Sequence, residues 1–131
     1  MSKMIMIVSG SLQVEATLND TETAQAVWKS LPLEARASTW GDEVYFAIPV
    51  EMGLEKGQEV VQAGDLGYWP PGHAFCIFFG PTPASVGDEI RPASAVTVMG
   101  KVKGDARVFK GVKDGMKVRI ERGQVTSTGS G

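Results

Sequence analysis

Residues 64–83 read GDLGYWPPGHAFCIFFGPTP, and this stretch decides the fold. It combines aromatic side chains with four prolines, and it contains the only histidine and the only cysteine of the chain, His73 and Cys76. Exposing so much apolar surface to water would cost too much free energy for a simple connecting segment. We therefore expect this stretch to form either the densest part of the core or the wall of a pocket.

The second half of the stretch, Ala74–Phe79, is apolar at nearly every position. Such a short continuous run is typical of a strand that is buried on both faces. One face is expected to fill a core, and the other to lie under a helix, a loop or a second subunit. The preceding Trp69–Gly72 is expected to turn, because two adjacent prolines donate no backbone hydrogen bonds to a sheet.

Glycine and proline divide the rest of the chain into short segments, with 16 glycines and 7 prolines in all. This spacing favours an all-β sandwich or barrel. A hairpin is expected around Gly41-Asp42. The predicted strands are Met4–Val8, Leu12–Leu18, Glu34–Trp40, Glu43–Pro49, Glu59–Ala63, Ala74–Phe79, Val96–Val102 and Met116–Glu121.

One segment, at about residues 20–31, has the apolar spacing of an amphipathic helix instead. The stripe consists of Ala24, Val27, Trp28 and Leu31. Asn19 or Asp20 can cap the start of this helix. Pro32 is expected to end it, because the residue before a proline is pushed out of the α region.

One helix and about eight short strands indicate a mainly β fold. We predict a closed barrel of roughly eight strands, because closure removes exposed strand edges. Residues 1–123 are expected to form one domain, and the Ser/Thr/Gly-rich residues 124–131 a flexible tail.

The charge is unevenly distributed along the chain. Residues 1–100 carry five Lys and Arg against twelve Asp and Glu, whereas residues 101–131 carry eight against three. Lys101 and Lys103 lie two positions apart, as do Lys117 and Arg119, which is the spacing of solvent-facing positions on strands. Phe109 is the one aromatic residue of this basic segment. We therefore expect no nucleic-acid binding.

The sequence also indicates a cellular compartment. A single cysteine cannot form an internal disulfide and fits a reducing environment. The apolar run Met4–Val8 is too short to span a membrane, and it lacks the features of a signal peptide. We predict a cytoplasmic protein with no membrane contact.

Two motifs resemble a known family. Trp40–Phe46, which reads WGDEVYF, and the stretch Gly64–Pro83 are similar to the small prokaryotic cyclophilin-like proteins. The resemblance extends from Met4 to about Arg122. It implies the barrel of the cyclophilins in a stand-alone domain without a settled biochemical role.

The resemblance to the true cyclophilins, which are peptidyl-prolyl isomerases, is weaker. Phe46–Pro49 stands where those enzymes have a phenylalanine-histidine-arginine strand, and it contains no arginine. Gln62–Asp65 is similar to their glutamine-glycine-glycine-aspartate step. Arg36 is the nearby replacement for the missing arginine, whose hydrogen bonds would favour rotation of the proline amide. A divergent isomerase is therefore an alternative function. A second alternative is a protein-interaction subunit of a larger enzyme assembly, since such barrels also occur in carboxylase- or hydrolase-type assemblies.

Several kinds of catalytic site have no signature here. One histidine cannot form a His-rich metal site, and the sequence contains no phosphate-binding loop, dinucleotide fingerprint or nucleophile elbow. Cys76 lies within a strand and is expected to be a small buried hydrophobe rather than a nucleophile. We predict no catalytic residue, no metal and no cofactor.

The remaining pattern favours binding. Aromatic side chains supply flat apolar area, and a few polar groups can orient the polar end of a ligand. The predicted ligand-binding residues are Arg36, Glu43, Tyr45, Gln62, Trp69, His73, Phe75 and Phe78, with Gln62 implied by the resemblance. We predict a module that binds a small molecule or a short peptide beside the aromatic segment 69–79. The alternatives are that three of the four aromatic residues in this set are barrel core, and that an apolar strand face forms a homodimer.

Overall fold

The fold is described by a computed structural model, which covers residues 3–123. Nine strands form one sheet, all of whose neighbouring pairs are antiparallel. The strands are β1 (Lys3–Ser9), β2 (Leu12–Leu18), β3 (Leu33–Arg36), β4 (Ser38–Thr39), β5 (Glu43–Ala47), β6 (Asp65–Trp69), β7 (Ala74–Phe78), β8 (Thr97–Val102) and β9 (Lys117–Arg122).

The sheet curves into a nearly closed barrel. Its strand order is β3-β9-β1-β2-β8-β6-β7-β5-β4. The two end strands, β3 and β4, are separated in the chain by Ala37 alone, so the chain itself joins the two edges. The predicted mainly β barrel is confirmed.

The apolar side chains form two clusters on opposite faces of the sheet. The main core fills the barrel and contains Phe46 on β5, Leu66 on β6 and Phe75 on β7. A smaller group, which we call the outer cluster, lies outside the barrel against the same strands. It consists of Val61, Ala74, Cys76, Phe78, Ile90 and Val96. The predicted burial of β7 on both faces is confirmed, and a loop covers its outer face. All five residues of β7 are buried by this chain alone, and the homodimer stays a prediction.

Helix α1 (Glu22–Ser30) lies within the predicted range, but its cap differs. The N-cap is Thr21, whose hydroxyl accepts a hydrogen bond from the amide of Ala24 at 3.0 Å. Asn19 instead accepts hydrogen bonds from the amide and hydroxyl of Thr21 and orients the cap. The helix ends before Pro32 as predicted, and the peptide bond that precedes this proline is cis.

The carboxylate of Glu55 also stabilises the start of α1. It accepts hydrogen bonds from the amides of Glu22 and Thr23 at 3.0 and 3.1 Å, and from the Thr23 hydroxyl at 3.0 Å. A negative charge at this end of a helix is favourable, because the first backbone N–H groups have no partners within the helix.

Glu55→Ala is expected to lower the free energy of unfolding by about 1 kcal/mol, a typical cost of losing helix capping. Urea denaturation at neutral pH measures this change. Glu51→Ala, which removes an exposed carboxylate from the same loop, is the matched control and should change little. Equal stabilities of the two variants would contradict the capping role.

Two predicted elements differ from the structure. The hairpin around Gly41-Asp42 is formed by the two-residue β4 with β5, whereas β3 pairs with β9. Glu59–Ala63 is not a strand, since its pairing is limited to the isolated bridge of Val61 with Ile90. Two short 3-10 helices, Pro70–Gly72 and Ala106–Gly111, complete the described fold, and the first is the predicted turn.

Between residues 3 and 123, no helix combines the length and apolar character needed to cross a membrane. The predicted cytoplasmic location stays a prediction. The tail predicted at residues 124–131 lies outside the described residues.

Candidate functional site

A pocket of about 260 Å³ opens on the outer side of the barrel, next to the outer cluster. Strands β5, β6 and β7 provide one wall, and the segment 92–96 before β8 provides the other. We call it the outer pocket. Its lining residues are Trp40, Glu43, Tyr45, Trp69, Cys76, Pro92, Ala93 and Val96.

The strand register brings the polar lining residues together. Tyr45 on β5 lies directly opposite Cys76 on β7, and Glu43 lies opposite Phe78. Because alternate residues of a strand share a face, Glu43 and Tyr45 point to the side away from the main core. The pocket therefore has a carboxyl, a phenol and a thiol on one wall.

The turn before β5 is fixed in place by its close packing. Gly41 has a φ of +61°, and a Cβ atom there would lie 2.8 Å from Pro83 Cδ and 2.9 Å from Thr82 Cα. The amide of Asp42 donates a hydrogen bond to the carbonyl of Pro81 at 2.9 Å. This packing sets the position at which β5, and with it Glu43, begins.

Glu43 is the most unusual group of the outer pocket. It is only 5% exposed, although it carries an ionisable carboxyl. Burial raises the pKa of Glu43 from its ordinary 4.5 to about 7, and the neighbouring Cys76 thiol opposes this rise. In the part of the chain that the structure describes, no Lys, Arg or His lines the pocket. The carboxyl thus lies in an apolar cavity without a positive charge beside it.

Cys76 is a buried thiol, 2% exposed. Burial raises its pKa well above the usual value, and the neighbouring Glu43 carboxyl adds to the shift. A thiolate is the nucleophilic form of cysteine, and this environment disfavours it. The predicted role of Cys76 as a buried hydrophobe agrees with this environment.

The opposite wall is held by hydrogen bonds to the rest of the chain. The indole Nε1 of Trp69 donates to the hydroxyl of Ser94 at 2.7 Å. Val96 exchanges two backbone hydrogen bonds with Gln58, at 2.8 and 3.0 Å. Trp69 and the segment 92–96 therefore have fixed positions before any ligand arrives.

The structure brings three of the predicted binding residues together in the outer pocket, namely Glu43, Tyr45 and Trp69. Phe78 lies in the adjoining outer cluster and is fully buried. Phe75 points the other way, into the main core, where its ring stacks on Phe46 with centroids 5.2 Å apart. Two of the four predicted aromatic residues thus line the pocket and two are core.

The other three predicted residues lie outside the pocket lining. Arg36 is exposed on β3, and its guanidinium donates a hydrogen bond to the carbonyl of Gly115 at 3.0 Å. Gln62 is exposed, and its backbone N–H donates a hydrogen bond to the Asp65 carboxylate at 2.9 Å. His73 is exposed at the end of a 3-10 helix with a left-handed φ of 48°.

Sequence reasoning missed five lining residues: Trp40, Cys76, Pro92, Ala93 and Val96. Strand alternation could have identified Cys76, because it shares the face of β7 that carries Phe78. Trp40 belongs to the turn that leads into Glu43, and its amide donates to the carbonyl of Glu43 at 3.0 Å. The segment 92–96 has no periodic pattern that would indicate its place.

Residues 3–123 contain no group of three or more His, Cys, Asp and Glu side chains that could hold a metal ion.

Comparison with known proteins gives a consistent picture of the fold. A family model described as cyclophilin-like matches residues 3–121. The chain is similar to the solution structure of the hypothetical protein AF2241 from Archaeoglobus fulgidus, with a TM-score of 0.79 and 41% sequence identity over 93% of this chain and 95% of that one. A search of the curated proteins found no match.

Proposed function

The chain belongs to the cyclophilin-like family, and on that premise we propose that it is a binding module whose outer pocket holds the flat, apolar part of a small molecule. The observation that carries the proposal is the pocket itself, which combines aromatic walls with one buried carboxyl. Ligand sites generally have this composition, with mostly apolar lining and a few polar groups that fix orientation.

The size of the outer pocket favours a small ligand. Its volume of about 260 Å³ lies just below the range of about 300–1,000 Å³ that is typical of sites for drug-sized molecules. Tyr45 and Trp69 are only half-buried, so they retain apolar surface that a ligand can cover. Aromatic side chains lose little rotamer entropy on binding, and Trp69 is already held by Ser94.

Tyr45 and Trp69 pack against the outer cluster but are only half-buried, and they are not part of the main core. Phe46 and Phe75 fill the inner face of β5 and β7, while Tyr45 and Cys76 face outward. The arginine that the isomerase alternative would require is not among the lining residues of the pocket. Arg36, the predicted replacement, is exposed on β3 and bonded to Gly115. The site geometry therefore favours binding.

A titration with 2-phenylethanol, followed by 1H–15N NMR, tests the proposal. We expect the indole N–H signals of Trp40 and Trp69 to shift, while the signal of Trp28, on helix α1, stays in place. Ala93→Trp should fill the pocket and weaken binding by about tenfold or more, since its ring competes for the same space. Ala63→Trp adds the same side chain at an exposed position outside the lining and is the matched control.

Shifts of equal size in Ala93→Trp and in the wild type would overturn the proposal, as would no shift at Trp40 and Trp69. A parallel titration uses a short proline-containing peptide. If the peptide shifts Trp40 and Trp69 and 2-phenylethanol does not, the ligand is a peptide and the small-molecule proposal fails.

A further inference from the structure

We propose that the outer pocket selects organic amines, with the protonated nitrogen bound by the Glu43 carboxylate and the apolar body held by the surrounding aromatic rings. The inference rests on the proposed function, since it names the ligand class for the same pocket. It follows from three features of the site: the position of the carboxyl, the absence of a positive charge beside it among residues 3–123, and the aromatic walls.

The first feature is the unused hydrogen-bonding capacity of Glu43. An ionised carboxylate has about four acceptor positions. The Cys76 thiol lies beside the carboxyl, and its hydrogen bond goes to the carbonyl of Ala74 at 3.9 Å. Glu43 is 5% exposed and lines the outer pocket. A donor group of a ligand can therefore occupy these acceptor positions.

The second feature is the missing positive charge. Buried carboxylates are usually paired with a cation, because an isolated buried charge is unfavourable. The other titratable groups that line the pocket are the phenol of Tyr45 on β5 and the thiol of Cys76 on β7, and Pro92, Ala93 and Val96 face them from the opposite wall. None of these groups can neutralise Glu43. A ligand with a protonated amine would supply the absent charge.

The third feature is the set of aromatic rings. Trp40, Tyr45 and Trp69 line the same cavity as Glu43. The face of an aromatic ring attracts cations, most strongly for tryptophan. The rings also cover apolar groups of a ligand. A carboxylate among such rings suits a cation with an apolar substituent better than it suits an anion or a sugar.

The test compares phenethylamine with 2-phenylethanol, which have the same shape and differ in the charged nitrogen. At about pH 8, where Glu43 is mostly ionised, phenethylamine should bind wild-type protein about tenfold tighter or more, because a charge-assisted hydrogen bond is stronger than a neutral one. Glu43→Gln keeps the size of the side chain and should abolish this preference. Glu51→Gln, at an exposed position, should retain it.

A pH change tests the same point without a mutation. Burial raises the pKa of Glu43 to about 7, so the carboxyl is largely protonated at about pH 5.5. As the pH is lowered, the wild type should therefore bind phenethylamine less tightly, while its binding of 2-phenylethanol stays constant. The ratio of the two affinities should approach the ratio measured for Glu43→Gln. This arm remains informative if the variant folds poorly.

The outcomes separate this inference from the proposed function. Equal binding of the two probes by wild-type protein at about pH 8 would overturn the amine selectivity and leave the small-molecule site in place. A preference that persists in Glu43→Gln would also overturn it, because another group would then bind the nitrogen. Failure of both probes to shift Trp40 and Trp69 would overturn both proposals.

Discussion

Glu43→Gln is expected to raise the free energy of unfolding by about 3 kcal/mol at about pH 8 and to change it little at about pH 4. Burial raises the pKa of Glu43 from 4.5 to about 7 in the folded chain, whereas the unfolded chain exposes the carboxyl to water. Between pH 4.5 and about pH 7, the Glu43 carboxyl keeps its proton in the folded state and has released it in the unfolded state. The stability of the wild type therefore falls as the pH rises through this window, and a glutamine amide, which does not ionise, avoids that loss.

Urea denaturation at a series of pH values, from about 4 to 8, measures this difference. The informative quantity is the free energy of unfolding of the variant minus that of the wild type, since other titrating groups contribute equally to both. Glu51→Gln is the control and should follow the wild type at every pH. If the free energies of unfolding of Glu43→Gln and the wild type ran parallel across this pH range, the prediction would be wrong. The Glu43 carboxyl would then ionise in the folded chain without loss of stability.

A carboxyl that destabilises its own fold at neutral pH needs a reason for its position. Leucine or valine would fill the same place next to Phe78 without the desolvation cost. A bound amine would remove that cost by pairing with the carboxylate. The predicted loss of stability and the proposed ligand class therefore have the same physical origin, which is an ionisable group buried without a countercharge.

Local patterns in the sequence predicted much of the fold. The predicted strand Glu43–Pro49 contains β5, and its alternate residues Val44, Phe46 and Ile48 are all buried in the main core. The apolar run at β7 identified burial on both faces. Strand partners were harder to predict, because pairing depends on distant parts of the chain. The pairing of β3 with β9 illustrates this. Leu33 lies opposite Ile120 in the sheet, although most of the chain separates the two residues.

The candidate site was only partly predictable, and one error was avoidable. Phe75 and Phe78 were placed in one site, yet residues three apart on a strand face opposite ways. By the same rule, residues two apart share a face, so Glu43 lies on the same face as Tyr45, and Cys76 on the same face as Phe78. The wall formed by the segment 92–96 was not predictable, because irregular segments have no periodicity. The raised pKa of Glu43 depends on its burial in the folded chain and could not be inferred from residue type.

Phe75→Ala is expected to lower the free energy of unfolding by about 3–5 kcal/mol, the usual cost of removing a buried phenylalanine ring. Phe75 is fully buried and stacked on Phe46, so its removal leaves a cavity in the main core. Tyr45→Ala, on the next strand, removes a half-buried ring that faces the outer pocket, and should cost only about 1 kcal/mol. Urea denaturation compares the two variants.

Binding should show the opposite order. Tyr45→Ala removes a wall of the outer pocket and should abolish the shifts that 2-phenylethanol causes at Trp69, whereas Phe75→Leu, which keeps the core largely filled, should retain them. Weak binding in Phe75→Leu together with normal binding in Tyr45→Ala would place the ligand inside the barrel and contradict the outer pocket. The pair of variants thus separates the aromatic residues that hold the barrel together from those available to a ligand, although both belong to neighbouring strands of one sheet.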